Sequence, residues 1–251
     1  MNKIVLLTGG SRGLGRNMAL ALAKKGIDIV FTYNSNKKAA DEVLAEIQST
    51  GQQAFAFQLD TSNISSFDAF LTRMSEELQA RTGQSKFDFL INNAGTALYA
   101  LAADTTEEQL DRIFNIHYKG VFFLTQKALP FMNDGGGIIN ISSGLTRITM
   151  PGSSVYGSVK TAVESLSRYL AKELGPRKIR VNTVAPGAIE TDFGGGRTRD
   201  NKEINAHIAG LTALGRVGLP EDIGGVVAFL CTDDAYWING QRIEVSGGQA
   251  I

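Results

Sequence analysis

Three side chains suited to proton transfer lie close together in the middle of the chain. Tyr156 and Lys160 stand in the segment Tyr-Gly-Ser-Val-Lys, and Ser143 precedes the tyrosine by thirteen residues. If residues 154–174 form a helix, positions four apart share a face, so the lysine ammonium should lie near the phenol. A nearby cation favours the phenolate and lowers the phenol pKa from its reference of about 10. Ser143 follows the apolar run at 138–141, so we expect its hydroxyl at the end of a buried strand, where it can hold a substrate oxygen.

A tyrosine and a lysine four residues apart also occur on solvated helix faces, so a second motif is needed to support catalysis. That motif is Thr-Gly-Gly-Ser-Arg-Gly-Leu-Gly at 8–15, between an apolar run at 4–7 and a helix-like stretch at 17–25. Its glycines permit a tight turn, and the helix amino terminus offers free N–H groups to a pyrophosphate. The spacing departs from the usual Gly-x-Gly-x-x-Gly fingerprint, and the alternative is a turn that only links a strand to a helix.

The same glycine segment also matches Gly-x-Ser-x-Gly, in which Ser11 would be the nucleophile of a hydrolase. His207 is the histidine available as a late base, but no acidic partner is recognisable for it. A hydrolase would leave Tyr156 and Lys160 without a role, so the sequence disfavours this reading.

Length and composition predict one α/β domain spanning residues 1–251. The residues are 43% hydrophobic, which supplies a substantial core, and no linker or repeat divides the chain. The 25 basic and 25 acidic residues cancel, so small molecules are expected as partners, with no nucleic acid and no membrane. One cysteine and two histidines offer no zinc-ligand cluster, so no metal is expected. Neither a signal peptide nor an apolar stretch of membrane-spanning length is recognisable, which predicts a cytoplasmic location.

Short β-branched runs alternate with helical patterns and predict a doubly wound, mainly parallel sheet. Its apolar runs lack polar alternation, which is typical of strands covered by helices on both faces. Right-handed crossovers would place the carboxyl ends of the strands at one ligand-binding edge. Thr105 and Glu108 indicate a capping box that opens a long helix toward Phe131. The segment near 190–215 is predicted to be a mobile substrate lid or else a plain surface excursion. The strands are expected near 3–7, 28–33, 53–58, 87–92, 137–142, 180–185 and 242–245.

These motifs, in this order, resemble the short-chain dehydrogenase/reductase family in its single-domain form, including its 3-oxoacyl reductase-like members. The resemblance covers nearly the whole chain and extends to Asn-Asn-Ala-Gly at 92–95, Pro-Gly at 186–187, Leu-Pro-Glu-Asp-Ile at 219–223 and the carboxyl-terminal Ser-Gly-Gly at 246–248. It implies a Rossmann fold with a seven-stranded sheet. It also implies that the long central helix and the Tyr156 helix pack against a second subunit, in a homodimer or homotetramer.

Cofactor choice depends on what faces the adenosine ribose at the end of the second strand. Tyr33 stands where relatives that prefer NAD carry an aspartate, and Arg12 stands where relatives that prefer NADP carry a basic residue. We therefore expect NADPH, with the Arg12 guanidinium on the 2′-phosphate, helped by Asn34, Ser35 or Lys37. The resemblance implies further cofactor contacts at Gly9, Ser11, Gly13, Leu14, Gly15, Asp60, Thr61, Asn93, Ala94, Gly95, Pro186, Gly187, Ile189 and Thr191, and at the catalytic Tyr156 and Lys160.

The resemblance also implies the roles of the catalytic residues. Tyr156 gives the carbonyl oxygen its proton, Ser143 hydrogen-bonds that oxygen, and Lys160 lowers the phenol pKa and holds the nicotinamide ribose. The family usually carries a catalytic asparagine where this chain has His117, in His-Tyr-Lys-Gly. The imidazole can replace it in a proton relay, although a protonated ring would add charge beside Lys160. The alternative is a helix histidine without a catalytic role.

The sequence thus predicts an NADPH-dependent oxidoreductase that reduces a ketone, with a 3-oxoacyl thioester as one candidate substrate. Two alternatives stay open. One is an NAD-dependent alcohol dehydrogenase of the same family, and the other is a dinucleotide-binding protein without catalysis. Candidate substrate contacts lie at 96–99, at 145–150 and in the lid.

Overall fold

A computed structural model describes residues 2–251 and is built on a single seven-stranded sheet. All neighbouring strands pair in parallel, in the order β3-β2-β1-β4-β5-β6-β7. The predicted Rossmann fold and the seven predicted strands are confirmed. The strands are β1 (Ile4–Leu7), β2 (Asp28–Tyr33), β3 (Ala54–Gln58), β4 (Phe87–Asn92), β5 (Met132–Ile141), β6 (Arg180–Pro186) and β7 (Arg242–Val245).

Helices cover both faces of the sheet, because successive strand residues point in opposite directions and both sets are apolar. In β1, Val5 and Leu7 belong to one buried cluster with residues of the first and last helices, while Ile4 and Leu6 belong to a second cluster on the other face. The helices are α1 (Gly13–Ala23), α2 (Lys37–Ser49), α3 (Phe67–Thr82), α4 (Glu107–Phe114), α5 (Gly120–Ala128), α6 (Ser154–Glu173), α7 (Arg197–Asp200), α8 (Lys202–Gly210) and α9 (Pro220–Leu230). Within residues 2–251, none of the helices is both long and apolar enough to cross a membrane.

The long central helix begins one residue later than predicted. Thr106 is the cap residue, and it exchanges hydrogen bonds with Gln109 in a capping box. The predicted box between Thr105 and Glu108 is wrong, because the Thr105 hydroxyl donates to the Leu101 carbonyl of the preceding turn instead. The helical path continues from α4 to α5 through a π-helical segment, Asn115–Lys119. Such wide turns often occur at functional sites.

The segment near 190–215 is more ordered than its composition suggests. A left-handed turn at Gly194, Gly195 and Gly196, with φ of 62°, 77° and 75°, leads into α7 and α8. The sequence of these two helices has little apolar periodicity. Asn201 caps α8 by accepting hydrogen bonds from two backbone N–H groups. The Asn205 side chain donates to Glu190 at 2.6 Å and ties α8 to the loop after β6. This segment therefore covers the carboxyl edge of the sheet as a folded cap, and its mobility stays a prediction.

Candidate active site

The three predicted catalytic side chains meet at the carboxyl edge of the sheet. Ser143 lies two residues beyond β5, at the start of a short helical turn, and its Oγ accepts a hydrogen bond from the Leu145 N–H at 3.2 Å. Tyr156 and Lys160 lie in the first turns of α6, and both are buried. The helix begins where expected, so the two side chains share the face that packs toward Ser143.

Lys160 is held by the strand rather than by a carboxylate. Its Nζ donates to the Ile141 carbonyl oxygen at 2.7 Å and lies 5.7 Å from the centre of the Tyr156 ring. Burial disfavours the charged form and lowers the pKa of Lys160 to about 7. The group can therefore change protonation state near neutral pH.

Tyr156 differs from the sequence-based expectation. Burial raises the pKa of the phenol well above its ordinary value, the nearby Tyr99 phenol acts in the same direction, and the Ser143 side chain acts in the opposite direction. The expectation of a pKa below 10 is wrong for this structure, because loss of hydration raises the pKa of the phenol. The phenol consequently keeps its proton at neutral pH and is ready to donate it.

His117 lies in the π-helical segment and is almost fully buried beside the tyrosine. Its Nε2 is 2.8 Å from the Thr96 carbonyl oxygen and 3.1 Å from the Thr96 backbone nitrogen, so Thr96 satisfies either tautomer of the ring. The ring stands edge-on to Tyr156, with 5.2 Å between ring centres, and Nδ1 has no hydrogen-bond partner. The pKa of His117 lies well below 6.5, mainly because the ring is buried and to a smaller extent because Lys160 is nearby. The ring is therefore neutral at neutral pH and adds no charge beside Lys160.

The glycine turn after β1 has the geometry of a dinucleotide cradle. Gly9 adopts a left-handed conformation with φ of 69°, and a side chain at Gly15 would collide with the Gly9 carbonyl oxygen. The Asn93 amide donates to the carbonyl oxygens of Thr8 and Gly9, at 2.9 and 3.1 Å, and fixes the turn against β4. The first turn of α1 follows directly, and its N–H groups have no carbonyl partners within the helix. These features suit a pyrophosphate.

Arg12 and Lys37 were both expected to contact the 2′-phosphate of the cofactor, and in this structure each pairs with a carboxylate. The Arg12 guanidinium pairs with the Asp192 carboxylate of the 190–215 segment at 2.5 Å, across the mouth of the glycine turn. Lys37 pairs with Asp41 along α2, because the two stand four residues apart on an exposed helix face. Both ion pairs are largely exposed, so a phosphate can compete for either cation at little cost.

The other predicted cofactor residues line the same edge. Tyr33 ends β2 and is buried, and Asn34 and Ser35 follow it in the solvent. Asp60 caps its own turn by accepting from the Ser62 N–H at 2.9 Å, and its contact with adenine stays a prediction. The remaining predicted residues lie near strand ends or near the start of α1. The ends of β3 and β4 are followed by Thr61, Ala94 and Gly95, and the start of α1 holds Ser11, Gly13 and Leu14. The end of β6 and the segment after it hold Pro186, Gly187, Ile189 and Thr191.

Aromatic side chains surround the mouth above Tyr156. The Phe193 ring lies 6.1 Å from the Tyr156 ring, and a side chain on Gly194 would meet the Tyr99 ring at 3.0 Å. The Arg197 guanidinium lies over the Tyr99 ring, 5.5 Å from its centre. Phe193 and Arg197 were not singled out from the sequence, because the predicted lid was defined by its glycines and charges. The available signal in the sequence was an aromatic residue, Phe193, next to a run of glycines.

Comparison with known proteins gives matches over almost the whole chain. Residues 9–250 match the family model described as enoyl-(acyl carrier protein) reductase. A hydroxynaphthalene reductase-like protein of Metarhizium brunneum is 37% identical over 98% of this chain and 94% of its own. A promiscuous reductase that catalyses keto-reduction at C1 during lugdunomycin biosynthesis superimposes with a TM-score of 0.94, at 40% identity, over 99% of this chain and 98% of its own. An angucycline C-6 ketoreductase with bound NADP has a TM-score of 0.93, at 37% identity, over 99% and 95%.

Proposed function

The chain belongs to the short-chain dehydrogenase/reductase family, and we propose that it reduces the carbonyl group of an aromatic ketone to an alcohol, with NADPH as reductant. One observation carries the proposal. A buried, protonated phenol, Tyr156, faces an open mouth beside a lysine and a serine, at the sheet edge that also holds the glycine cradle. A protonated phenol supports reduction, because oxidation of an alcohol would require the phenolate as base.

Each residue has a role that follows from its contacts. Bound NADPH would supply the hydride. Tyr156 donates its proton to the substrate oxygen, and the Ser143 hydroxyl hydrogen-bonds the same oxygen and orients it. Lys160, fixed by the Ile141 carbonyl oxygen, balances the negative charge that the phenol acquires when it loses the proton.

The preference for NADPH rests on the charges around the cofactor cleft. The end of β2 carries no carboxylate at Tyr33, Asn34 or Ser35 to bind a ribose 2′-hydroxyl, and Arg12 lies at the neighbouring turn. The guanidinium can leave the exposed Asp192 pair and bind a phosphate with two parallel hydrogen bonds. The angucycline C-6 ketoreductase with bound NADP supports this choice.

Removal of the Arg12 guanidinium should reduce discrimination between the two cofactors. We expect Arg12→Ala to raise the Kd for NADPH by about 10- to 100-fold, the effect of losing a charge-assisted pair. The Kd for NADH should stay nearly the same, and Arg16→Ala, one turn along α1, is the matched control. Fluorescence titration measures the Kd of each cofactor for the unmodified protein and for both variants. An unchanged NADPH-to-NADH ratio in Arg12→Ala would show that this arginine does not read the phosphate.

We propose that His117 takes part in the proton path behind Tyr156. Its neutral ring presents an unpaired Nδ1 in the buried space beside the phenol, and either tautomer satisfies Nε2 at Thr96. The ring can therefore accept or donate at Nδ1 without leaving its position.

Substitutions at His117 distinguish a role in proton transfer from a role in packing alone. We expect His117→Ala to lower kcat by about 10-fold or more with little change in NADPH affinity, because a relay contributes to proton transfer rather than to binding. His117→Asn keeps a donor and an acceptor and should restore most of the rate, whereas His117→Leu, which preserves volume only, should not. Equal turnover in the Leu and Asn variants would assign this residue to packing.

Aromatic ketones are the favoured substrate class because of the ring-lined mouth. Tyr99 and Phe193 are about half exposed, at 52% and 40%, on the side of Tyr156 that substrate must reach. Offset contacts between rings add about 0.5–1.5 kcal/mol each beyond area burial. The similar proteins include a hydroxynaphthalene reductase-like protein and an angucycline C-6 ketoreductase, and both support this choice. Reduction of a 3-oxoacyl thioester stays untested.

A substrate panel tests the proposed function. Loss of NADPH absorbance is followed with 2-tetralone, a tricyclic aryl ketone, acetone and a 3-oxoacyl thioester. We expect the aromatic ketones to be turned over best, and Phe193→Ala to lower their kcat/KM by about 2- to 10-fold while leaving acetone unaffected. Preference for the thioester would refute the aromatic substrate class, and cofactor binding without turnover of any ketone would favour the non-catalytic alternative.

We also propose that a second copy of the chain packs on the outer faces of α4, α5 and α6, in a dimer or tetramer. A groove of about 640 Å³ between α5 and α6 is lined by Tyr118, Phe122 and Tyr169, and the exposed apolar side chains there include Leu110 and Phe114. Light scattering measures the mass in solution, and Phe122→Arg should reduce it. A monomer in the unmodified protein would contradict this proposal. The cytoplasmic location stays a prediction from the sequence.

A further inference from the structure

The face of α6 that carries the catalytic pair continues to a buried carboxylate. Glu164 stands four residues beyond Lys160 and eight beyond Tyr156, so the three side chains follow one another along one side of the helix. Glu164 is only 8% exposed. Carboxylates are seldom buried unless hydrogen-bonded to partners, so this residue requires an explanation.

One oxygen of Glu164 collects three donors from the residues around the catalytic serine. The Ser142 hydroxyl donates at 2.7 Å and the Arg242 Nε at 2.8 Å, and Thr146 Oγ1 lies at 2.9 Å. Ser142 and Thr146 flank Ser143 on both sides, and Thr146 Oγ1 is also 3.0 Å from the Ser143 carbonyl oxygen. The carboxylate therefore fixes the turn that carries Ser143 to the helix that carries Tyr156.

The charged network continues beyond Arg242. Arg242 also donates to Glu244 at 2.8 Å, and Arg147 pairs with Glu244 at 2.5 Å. The hydrogen bond from Arg147 lowers the pKa of Glu244 to about 2, so this carboxylate stays ionised over the working range. We call Glu164, Arg242, Glu244 and Arg147 the serine-turn clamp. It joins α6, β7 and the turn after β5 through alternating charges.

The clamp also reaches the carboxyl-terminal residues. Arg147 donates to the carbonyl oxygens of Gln249 and Ala250, at 2.7 and 2.9 Å. The Gln249 side chain in turn accepts from the Ala188 N–H at 2.9 Å, in the segment that follows β6 and bounds the cofactor cleft. The same set of contacts thus connects the serine turn with the opposite wall of the site.

Building on the proposed function, we propose that Glu164 is a positioning residue, which acts through the serine-turn clamp to hold the Ser143 hydroxyl at the distance from Tyr156 that carbonyl reduction requires. Its side-chain hydrogen bonds are with Ser142, Thr146 and Arg242 and not with Tyr156 or Lys160. A displacement of about 1 Å in a catalytic group can cost about 10²-fold in rate. Its effect should therefore be seen in kcat, and only when Ser143 is present.

The test combines Glu164→Ala with Ser143→Ala in a double-mutant cycle, and Glu173→Ala on an exposed part of the same helix is the matched control. We expect Glu164→Ala to lower kcat by about 10- to 100-fold with the NADPH Kd unchanged. Glu164→Gln keeps a side-chain oxygen for the three donors and should recover most of that loss. In the Ser143→Ala background, Glu164→Ala should have little further effect, since both changes remove the same positioned hydroxyl. Losses that multiply in the double variant, or a rate for Glu164→Ala within about twofold of the unmodified protein, would overturn the proposal.

A second readout does not depend on turnover. Hydrogen exchange at backbone amides 143–150 should be faster in Glu164→Ala than in the unmodified protein, and Glu173→Ala should leave it unchanged. If Glu164→Ala fails to fold, Thr146→Val removes one contact of the clamp and should raise exchange over the same residues. Unchanged exchange in the folded variants would overturn the clamp itself. Lack of turnover in the unmodified protein would instead count against the proposed function.

Discussion

Replacement of Tyr156 by phenylalanine should lower kcat for ketone reduction by about 10²- to 10⁴-fold, the range that a positioned proton donor contributes. The change removes one oxygen atom and keeps the ring, so the contacts with His117 and Phe193 should persist. The Kd for NADPH should therefore change little. Steady-state kinetics and fluorescence titration measure the two quantities on the same preparation.

The matched control for this variant is Tyr236→Phe, which removes an exposed phenol oxygen far along the chain. Turnover should be unaffected there. Retention of more than about a tenth of the rate in Tyr156→Phe would mean that water or another group protonates the substrate oxygen. The assignment of Tyr156 as proton donor would then be wrong.

Replacement of Lys160 by methionine should give the second large loss, about 10²-fold or more in kcat. Methionine has a similar length and suits the buried environment, but it cannot donate to the Ile141 carbonyl oxygen or balance charge on the phenol. The amine balances this charge only while it is protonated, so kcat of the unmodified protein should fall as the pH rises through the Lys160 pKa of about 7. Lys160→Met should lack this fall, as measured by kcat from about pH 6 to pH 9. Wild-type turnover in Lys160→Met would exclude a catalytic role for the amine.

The free energy of unfolding should also depend on pH differently in the unmodified protein and in Lys160→Met. The pKa of Lys160 is about 7 in the folded chain against a reference of 10.5, so between these values the unfolded chain binds more protons. Stability contributed through this group therefore rises with pH across that window, by at most about 1.4 kcal/mol per pH unit. Denaturant unfolding at several pH values should show this rise in the unmodified protein and a smaller one in Lys160→Met. Parallel pH dependences would show that Lys160 is not buried as described.

Much of the fold was predictable because its signals are local. Apolar β-branched runs such as 4–7 and 138–141 marked the strands, and the spacing of Tyr156 and Lys160 placed both on one face of a helix. The glycine turn was recognisable because a left-handed residue and a close backbone approach require glycine at defined positions.

The electrostatics of the site were not predictable in the same way. The phenol pKa was expected to fall, because a lysine four residues away is visible in the sequence and burial is not. Burial of Tyr156 depends on rings from distant segments, among them Phe193. The pairing of Arg12 with Asp192 joins residues 180 positions apart, and its partner is set by the path of the chain after β6.

The positioning role proposed for Glu164 had a signal in the sequence that was not used. A glutamate eight residues after Tyr156 stands on the same helix face as the catalytic pair, where a solvated side chain is not expected. Its partners come from β7 and from the turn after β5. Only the folded chain shows that all of them converge on one carboxylate oxygen.

Transfer of deuterium from labelled cofactor tests the central proposal most directly. The protein is incubated with the bicyclic and tricyclic aromatic ketones and with NADPH that carries deuterium in both C4 positions of the nicotinamide, and the products are analysed by mass spectrometry and NMR. We predict an alcohol with one deuterium on the carbinol carbon, formed by the unmodified protein and almost absent with Tyr156→Phe. Bound cofactor with no alcohol from any of these ketones, or alcohol without the label, would contradict NADPH-dependent reduction of aromatic ketones at this site.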